Sequence, residues 1–191
     1  MERFHSQLDQ REFIYRIDAE GRICFVNAAW QAFAAENGWQ VGAAQVLGSD
    51  LMASITDERT RHLYGLLIER VREPGRLARF GYRCDAPDTR RLMEMQMRYD
   101  ESRKQVEFRS RVALIEKRDP VALFEAPQTN RTEELLSVCS WCKAVLADQA
   151  WVEVEEAVVR LDLFSADALP RISHGICPEC SERISQTANC A

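Results

Sequence analysis

Phe13-Ile-Tyr-Arg-Ile-Asp-Ala-Glu-Gly-Arg-Ile-Cys-Phe-Val-Asn27 is the stretch from which the fold of this chain is read. Phe13, Tyr15 and Ile17 recur at period two, the pattern of a half-buried strand. Ala19-Glu-Gly-Arg22 supplies a turn and Ile23-Cys-Phe-Val26 a second strand, so the segment predicts a hairpin. Asn27 is a residue type that accepts a backbone N–H at a helix start, and a helix over 28–37 follows, stopped by Gly38.

Working outward, a loop with Gly42 and Gly48 leads to Thr56 or Asp57, either of which can cap a helix that runs to about Glu73 and is ended by Pro74-Gly75. Leu63, Leu67, Ile68 and Val71 share one side of that helix and should face a core. Strands are expected over 77–84 and 90–99, with Asp85–Asp88 as the turn between them. In the second, Met93, Met95 and Met97 alternate with Glu94, Gln96 and Arg98. That stripe reads as core or a dimer surface. After the polar turn Asp100–Lys104, a fifth strand places Val106, Phe108, Ser110, Val112 and Leu114 opposite Glu107, Arg109 and Arg111. Residues 118–132, with Pro120, Pro127 and Asn130, read as a linker, although Val121-Ala-Leu-Phe124 has the composition of a packed segment. Residues 133–191 form a second module. In it a cysteine pair, a short helix with Trp151, Val154, Val158 and Leu161 on one face, and a second cysteine pair succeed one another.

The Asp-x-x-Gly-x-Ile-x-x-Val-Asn run inside 13–27, followed by helices and three strands, resembles the PAS sensor domains, over about residues 8–117. The resemblance implies an α+β fold: a five-stranded antiparallel sheet with flanking helices. It also implies a pocket that in some relatives holds a ligand or cofactor and in many is only core, so the pocket ligand is unknown. His62 falls where some haem-binding relatives place their axial ligand, but Arg59 and Arg61 beside it favour an exposed helix histidine. The flavin-binding light sensors of the family use an Asn-Cys-Arg-Phe-like segment, which has no counterpart here; Cys24 and Cys84 read as small buried residues. The tail resembles a cysteine-rich segment attached to some bacterial PAS-containing and two-component signalling proteins, through Cys139-Ser-Trp-Cys142-Lys143 and Ser173-His-Gly-Ile-Cys-Pro-Glu-Cys180. This implies association with signalling and no enzymatic activity. The kinase, receiver or phosphatase domains that accompany such segments have no counterpart in the sequence.

Cys139-x-x-Cys142 and Cys177-x-x-Cys180, with 34 residues between the pairs, have the spacing of a tetrahedral thiolate site. A two-residue gap lets both sulfurs of a pair meet one ion, and metal binding would help a short module with few large apolar side chains to fold. One structural zinc per chain in a small zinc-ribbon-like module is the expectation. Iron or an iron–sulfur cluster fits the same ligand type. His174 is either an alternate ligand or, like Lys143, a neighbour that offsets the thiolate charge. A thiol–disulfide role for Cys139-Ser-Trp-Cys142 would call for a surrounding βαβ pattern, and none is present.

Composition excludes several classes. The chain has 191 residues, 46% hydrophobic and 29% charged, the make-up of a folded protein of one or two domains. Its net charge of −5 lies wholly in residues 131–191, which makes the cysteine module a poor nucleic-acid partner. No apolar run approaches the roughly 20 residues of a membrane-spanning helix. Met1–Ser6 lacks a basic leader and apolar run, so a cytoplasmic location is the default. The arginines at 83, 90, 91, 109 and 111 are matched by acids and read as a solvated sheet face rather than an anion site. Nucleophile–base sets, paired catalytic carboxylates and phosphate-binding glycine loops are lacking, so no enzyme is expected.

The sequence thus points to a stand-alone cytoplasmic sensor or adaptor, homodimeric through its PAS domain, whose zinc module docks a signalling protein. The alternative is a redox or metal sensor in which the four thiolates carry the signal, through zinc release or an iron centre.

Overall fold

A computed structural model describes residues 10–38, 42–125, 131–164 and 168–189. Strand β1, Glu12–Ile17, turns back into β2, Ile23–Val26, through a loop in which Asp18 Oδ1 accepts the N–H groups of Glu20 and Arg22, and Gly21 takes φ +83°. That left-handed backbone is open to glycine at no steric cost. Asn27 then joins strand to helix: its Oδ1 accepts from Trp30 N at 2.9 Å and Ile14 N at 3.1 Å, while its Nδ2 donates to the Glu12 carbonyl. Helix α1, Ala28–Glu36, is therefore anchored to β1 by its own cap. A short α2, Ala43–Val46, and a single turn at Met52–Ser54 precede α3, Glu58–Arg72, which is capped by Asp57 rather than Thr56.

Three long strands complete the first sheet: β3, Leu77–Arg83; β4, Thr89–Asp100; and β5, Gln105–Lys117. The order is β2-β1-β5-β4-β3, antiparallel throughout. This is the five-stranded sheet with flanking helices that the PAS resemblance implies. Leu63, Leu67, Ile68 and Val71 of α3 are buried, and Met93, Met95 and Met97 are core residues. Leu114 departs from the expected pattern. Between Met93↔Val112 and Leu92↔Leu114 one extra residue of β5 is accommodated, and this bulge turns Leu114 out to solvent.

The second sheet is mixed. Its strands are β6, Arg131–Cys139; β7, Val145–Ala147; β8, Ala150–Val152; and β9, Leu169–Gly175, in the order β8-β7-β6-β9 with β6 and β9 parallel. Helix α4, Val154–Arg160, covers it, and α5, Pro178–Asn189, follows β9. Trp151 belongs to β8 and not to the helix face expected for it, because Glu153 is still extended and the helix begins only at Val154. Val121 and Leu123, in the segment expected as a linker, are buried with Leu136, Val138, Val145, Val154 and Val158. Residues 126–130 of that segment and Cys190 lie outside the described residues.

The two sheets are not separate bodies joined by a tether. One core contains Leu63, Leu67, Phe80 and Met97 together with Cys139, Trp141, Ile176, Cys180 and Ile184, and α5 packs against α3 and β3. Across the same seam Asp85, whose side chain is 1% exposed, is held by Arg83 and Arg118, which in turn reach Glu153 and Glu155.

Candidate metal centre and interior cavity

Each cysteine pair is built by a different local device. Cys139 closes β6; its N–H donates to the Ala144 carbonyl at 2.8 Å and its carbonyl accepts from Lys143 N at 3.0 Å. Lys143 takes φ +63°, and this tight reversal brings Cys142 back beside Cys139. Cys177 stands immediately before α5, with Pro178 at the first helical position, where its missing N–H costs nothing. The Cys177 sulfur accepts the Cys180 N–H at 3.4 Å, and the Cys177 N–H donates to the Cys139 sulfur at 3.4 Å. Positive helix-terminal charge and backbone N–H groups thus face the sulfurs, both of which favour thiolate.

The four sulfurs lie within 4.8 Å of one another, and those of Cys142 and Cys177 are 3.7 Å apart. Four thiolates at about 2.3 Å from one ion in tetrahedral array have sulfur–sulfur edges of about 3.8 Å, so the group has the size such an ion requires. Electrostatics point the same way. Hydrogen bonds from Cys142 and Cys180 hold the Cys139 thiol far below the ordinary thiol range, whereas the hydrogen bond it must give up to Cys139 pushes Cys142 up to about 12. Cys180 is raised further by the same two neighbours. Hydrogen bonding thus favours thiolate at Cys139 at the expense of Cys142 and Cys180, an opposition that a cation among the sulfurs would relieve.

His174 lies on β9 paired with Val138, is exposed, and stands outside the sulfur cluster. It lines a small recess with Asp85, Phe124 and Lys143, which corrects its expected role as an alternate ligand. Lys143 Nζ donates to the Ser140 carbonyl at 3.0 Å rather than to a sulfur. The cation that does reach sulfur is Arg183, whose guanidinium donates to Cys180 Sγ at 3.5 Å and to the Gly81 carbonyl at 3.4 Å. Sequence reasoning missed it, though its position three residues after Cys180 on one helix face was the available signal.

Trp141, between the first two cysteines, is 2% exposed. Its ring lies 5.3 Å from Tyr64 of α3 and 4.9 Å, edge-on, from Phe80 of β3. Tyr64 also lines a cavity of 520 Å³ that opens between sheet and helices. Phe13, Trp30, Phe33, Met93 and Met95 line it, with Tyr15, Tyr82 and Ser110. None of its described lining residues is charged or a histidine. His62 is exposed on α3 and does not line the cavity, so the structure does not place it as an axial ligand there. Cys84 is half-buried at the cavity wall, and Cys24 is exposed, contrary to expectation, with its thiol donating to the Arg16 carbonyl.

The arginines on the sheet are paired. Arg109 meets Glu12 and Glu107, Arg111 meets Glu94, Arg83 and Arg90 meet Glu153, and Arg91 donates to Asn37 Oδ1. Among the described residues no helix is long and apolar enough to cross a membrane.

No family model matches the chain, and no curated protein matches it. Solved structures do. A sensory box sensor histidine kinase from Vibrio cholerae is 9% identical with a TM-score of 0.40, over 56% of this chain and 85% of that one. The Aer2 receptor from Vibrio cholerae, described as a dual PAS-heme oxygen sensor, is 13% identical with a TM-score of 0.36, over 55% and 96%. The PAS domain of an HTR-like protein from Haloarcula marismortui is 20% identical with a TM-score of 0.33, over 55% and 83%.

Proposed function

We propose that the chain is a cytoplasmic, bacterial-type signal sensor or adaptor, in which a PAS domain biases the contacts that a zinc-bound Cys₄ module makes with a signalling protein. Residues 1–117 serve as the sensing and dimerising domain and residues 133–191 as the output module. Cys139, Cys142, Cys177 and Cys180 hold one zinc, which fixes the reversal at Lys143 and the start of α5. The observation that supports this reading is the position of Trp141: it sits between two of the ligands and is buried in the same core as α3 and β3. A movement of the PAS helix is therefore felt at the metal knuckle. The chain's role is binding rather than catalysis.

Elemental analysis of the untagged protein, with a visible spectrum and light scattering on the same sample, tests the proposal. One zinc per chain, lost in the Cys139→Ser, Cys177→Ser double variant, a featureless spectrum and a dimeric mass are expected. Iron with a visible band would move the signal to a bound redox centre.

A second reading is favoured by one observation: Cys142 is the least buried of the four sulfurs. An oxidant entering there would take a thiolate to sulfenic acid and release the ion. Peroxide that frees zinc and changes association would favour this redox sensor over an inert staple.

A further inference from the structure

We propose that the cavity takes a small, neutral, largely apolar molecule with one hydrogen-bonding group, and that Tyr64 couples its binding to the metal centre. The proposal rests on the reading of the four cysteines as a metal site.

The ligand class follows from the walls. A cavity of 520 Å³ is large enough for a molecule of one or two rings. Its surface is mostly aromatic, aliphatic and thioether, with no Asp, Glu, Lys, Arg or His among the described lining residues, so an anion or cation entering it would lose hydration without gaining a counter-charge from them. Polar recognition is left to neutral groups: the phenols, with Gln45, Ser49, Ser54 and Ser110. Tyr82 is already engaged, donating to Ser110 Oγ at 3.1 Å. Tyr15 and Tyr64 have no hydrogen-bond partner among the described residues, and both line the cavity. Burial raises both phenols, Tyr64 up to about 12, so they remain neutral donors and acceptors at physiological pH.

The coupling follows from the same ring. Tyr64 lines the cavity and its ring lies 5.3 Å, between centroids, from that of Trp141. Trp141 has little freedom to yield: Phe80 closes its other side, and Arg83 N–H holds its carbonyl at 2.6 Å. A ligand that hydrogen-bonds the Tyr64 hydroxyl fixes that ring against Trp141 and so favours the knuckle geometry in which Cys139 and Cys142 face one ion. Linkage makes the effect reciprocal, the bound metal tightening the ligand by the factor by which the ligand tightens the metal.

Indole is the probe, with benzoate as its charged counterpart. Metal transfer from the intact chain to a coloured chelator is followed with and without indole, and indole binding is measured by calorimetry on the metal-loaded and metal-stripped chain. Indole is expected to shift the chelator competition by about fivefold or more, and metal to tighten indole by the same factor. Benzoate should bind at least about tenfold more weakly than indole. Tyr64→Phe, which keeps the ring and loses the hydroxyl, should weaken indole and reduce the coupling, Tyr64→Leu should abolish the coupling, and Met93→Leu, a change in the cavity wall that belongs to a different core cluster from Trp141, should retain it. Indole that binds without moving the chelator competition overturns the coupling. Benzoate binding as tightly as indole, or indole failing to bind the metal-loaded chain, overturns the ligand class. A chain that takes up no metal overturns the reading of the cysteines beneath it.

Discussion

The backbone N–H of Arg83, the last residue of β3, donates to the carbonyl of Trp141 at 2.6 Å. One end of this bond belongs to the first sheet and the other to the tip of the first cysteine knuckle. The Arg83 side chain repeats the connection, since it grips Asp85 in its own loop and Glu153 at the start of α4. Apolar packing of α5 on α3 and β3 adds area to the same seam. The consequence is thermodynamic: neither half can lose its structure without exposing core that belongs to the other.

Stripping the metal should therefore destabilise the whole chain in a single step. Metal-loaded protein is expected to unfold in one transition, with far-ultraviolet circular dichroism and tryptophan fluorescence coincident. Chelation should lower that transition temperature as a whole rather than split off a second transition. Two separated transitions in the loaded protein would show that the halves fold independently and that the seam is weak.

Arg83→Met tests the seam by itself. It leaves the buried Asp85 carboxylate with Arg118 and the Arg91 N–H, and leaves Glu153, about half of which is already exposed, with Arg90. Since Asp85 keeps one cation, the cost should be about 2 kcal/mol, below that of stranding a buried charge completely. Urea denaturation checks it, and a change under about 0.5 kcal/mol would mean that Arg118 alone suffices.

Glu107 gives the chain an acid sensitivity that can be traced to one residue. Its side chain, 4% exposed, is held by Arg16 and Arg98 at 2.9 Å and by Arg109 at 3.1 Å. Burial pushes its pKa up, but the hydrogen bonds from Arg16 and Arg109 and the charge of Arg98 outweigh that and lower it. A carboxyl lowered in the folded state contributes stability above its unfolded value, near 4.3, and that contribution is lost as pH falls through the folded value. Glu107→Gln should thus cost about 1 kcal/mol at neutral pH, with solvent around Arg98 limiting the effect, and the cost should vanish once pH has fallen below the folded value. A gap that stays constant across that range would remove the carboxylate as its cause.

The hairpin at 12–26, the Asn27 cap, α3 and the four cysteines were legible because each is written in a short span: a period, a cap or a two-residue gap. The shared core was not. Periodicity tells which face of α3 is apolar, but Leu63 and Leu67 meet Trp141 and Ile184 through contacts more than 70 residues apart in the chain, which no local pattern encodes. Strand β9 was missed because Leu169-Pro-Arg-Ile-Ser-His-Gly175 has little apolar alternation and contains Pro170; its pairing with β6 supplies what its own residues do not. Arg183 was overlooked because its partner is a sulfur and a carbonyl in another element.

The bulge in β5 turns one such misreading into a measurement. Met97, 0% exposed, and Leu114, 45% exposed, both occupy positions that simple alternation assigns to the core. Met97→Ala should cost about 2–5 kcal/mol through lost contacts and the cavity it leaves. Leu114→Gln should change stability by less than about 0.5 kcal/mol, because the bulge has already placed residue 114 in water. Comparable losses from the two substitutions would mean that the strand keeps one register to its end.

The turn between β7 and β8 holds an unfavourable residue that can be replaced. Ala147 pairs with Ala150, so Asp148 and Gln149 alone make the reversal, with φ of +48° and +66°. Two consecutive left-handed residues match the right-handed twist of a hairpin, and glycine is the favoured second residue because it lacks the Cβ that crowds this region. Both side chains are exposed, so nothing is lost from the core by trimming one. Gln149→Gly should raise stability by about 0.5–1 kcal/mol, or roughly 1–4 °C in Tm for a chain of this size. Gln149→Val, β-branched at the same φ, should lower it. If glycine lowered Tm instead, the loss of chain restriction in the unfolded state would outweigh the relief of the left-handed backbone, and the strain assigned to Gln149 would be negligible.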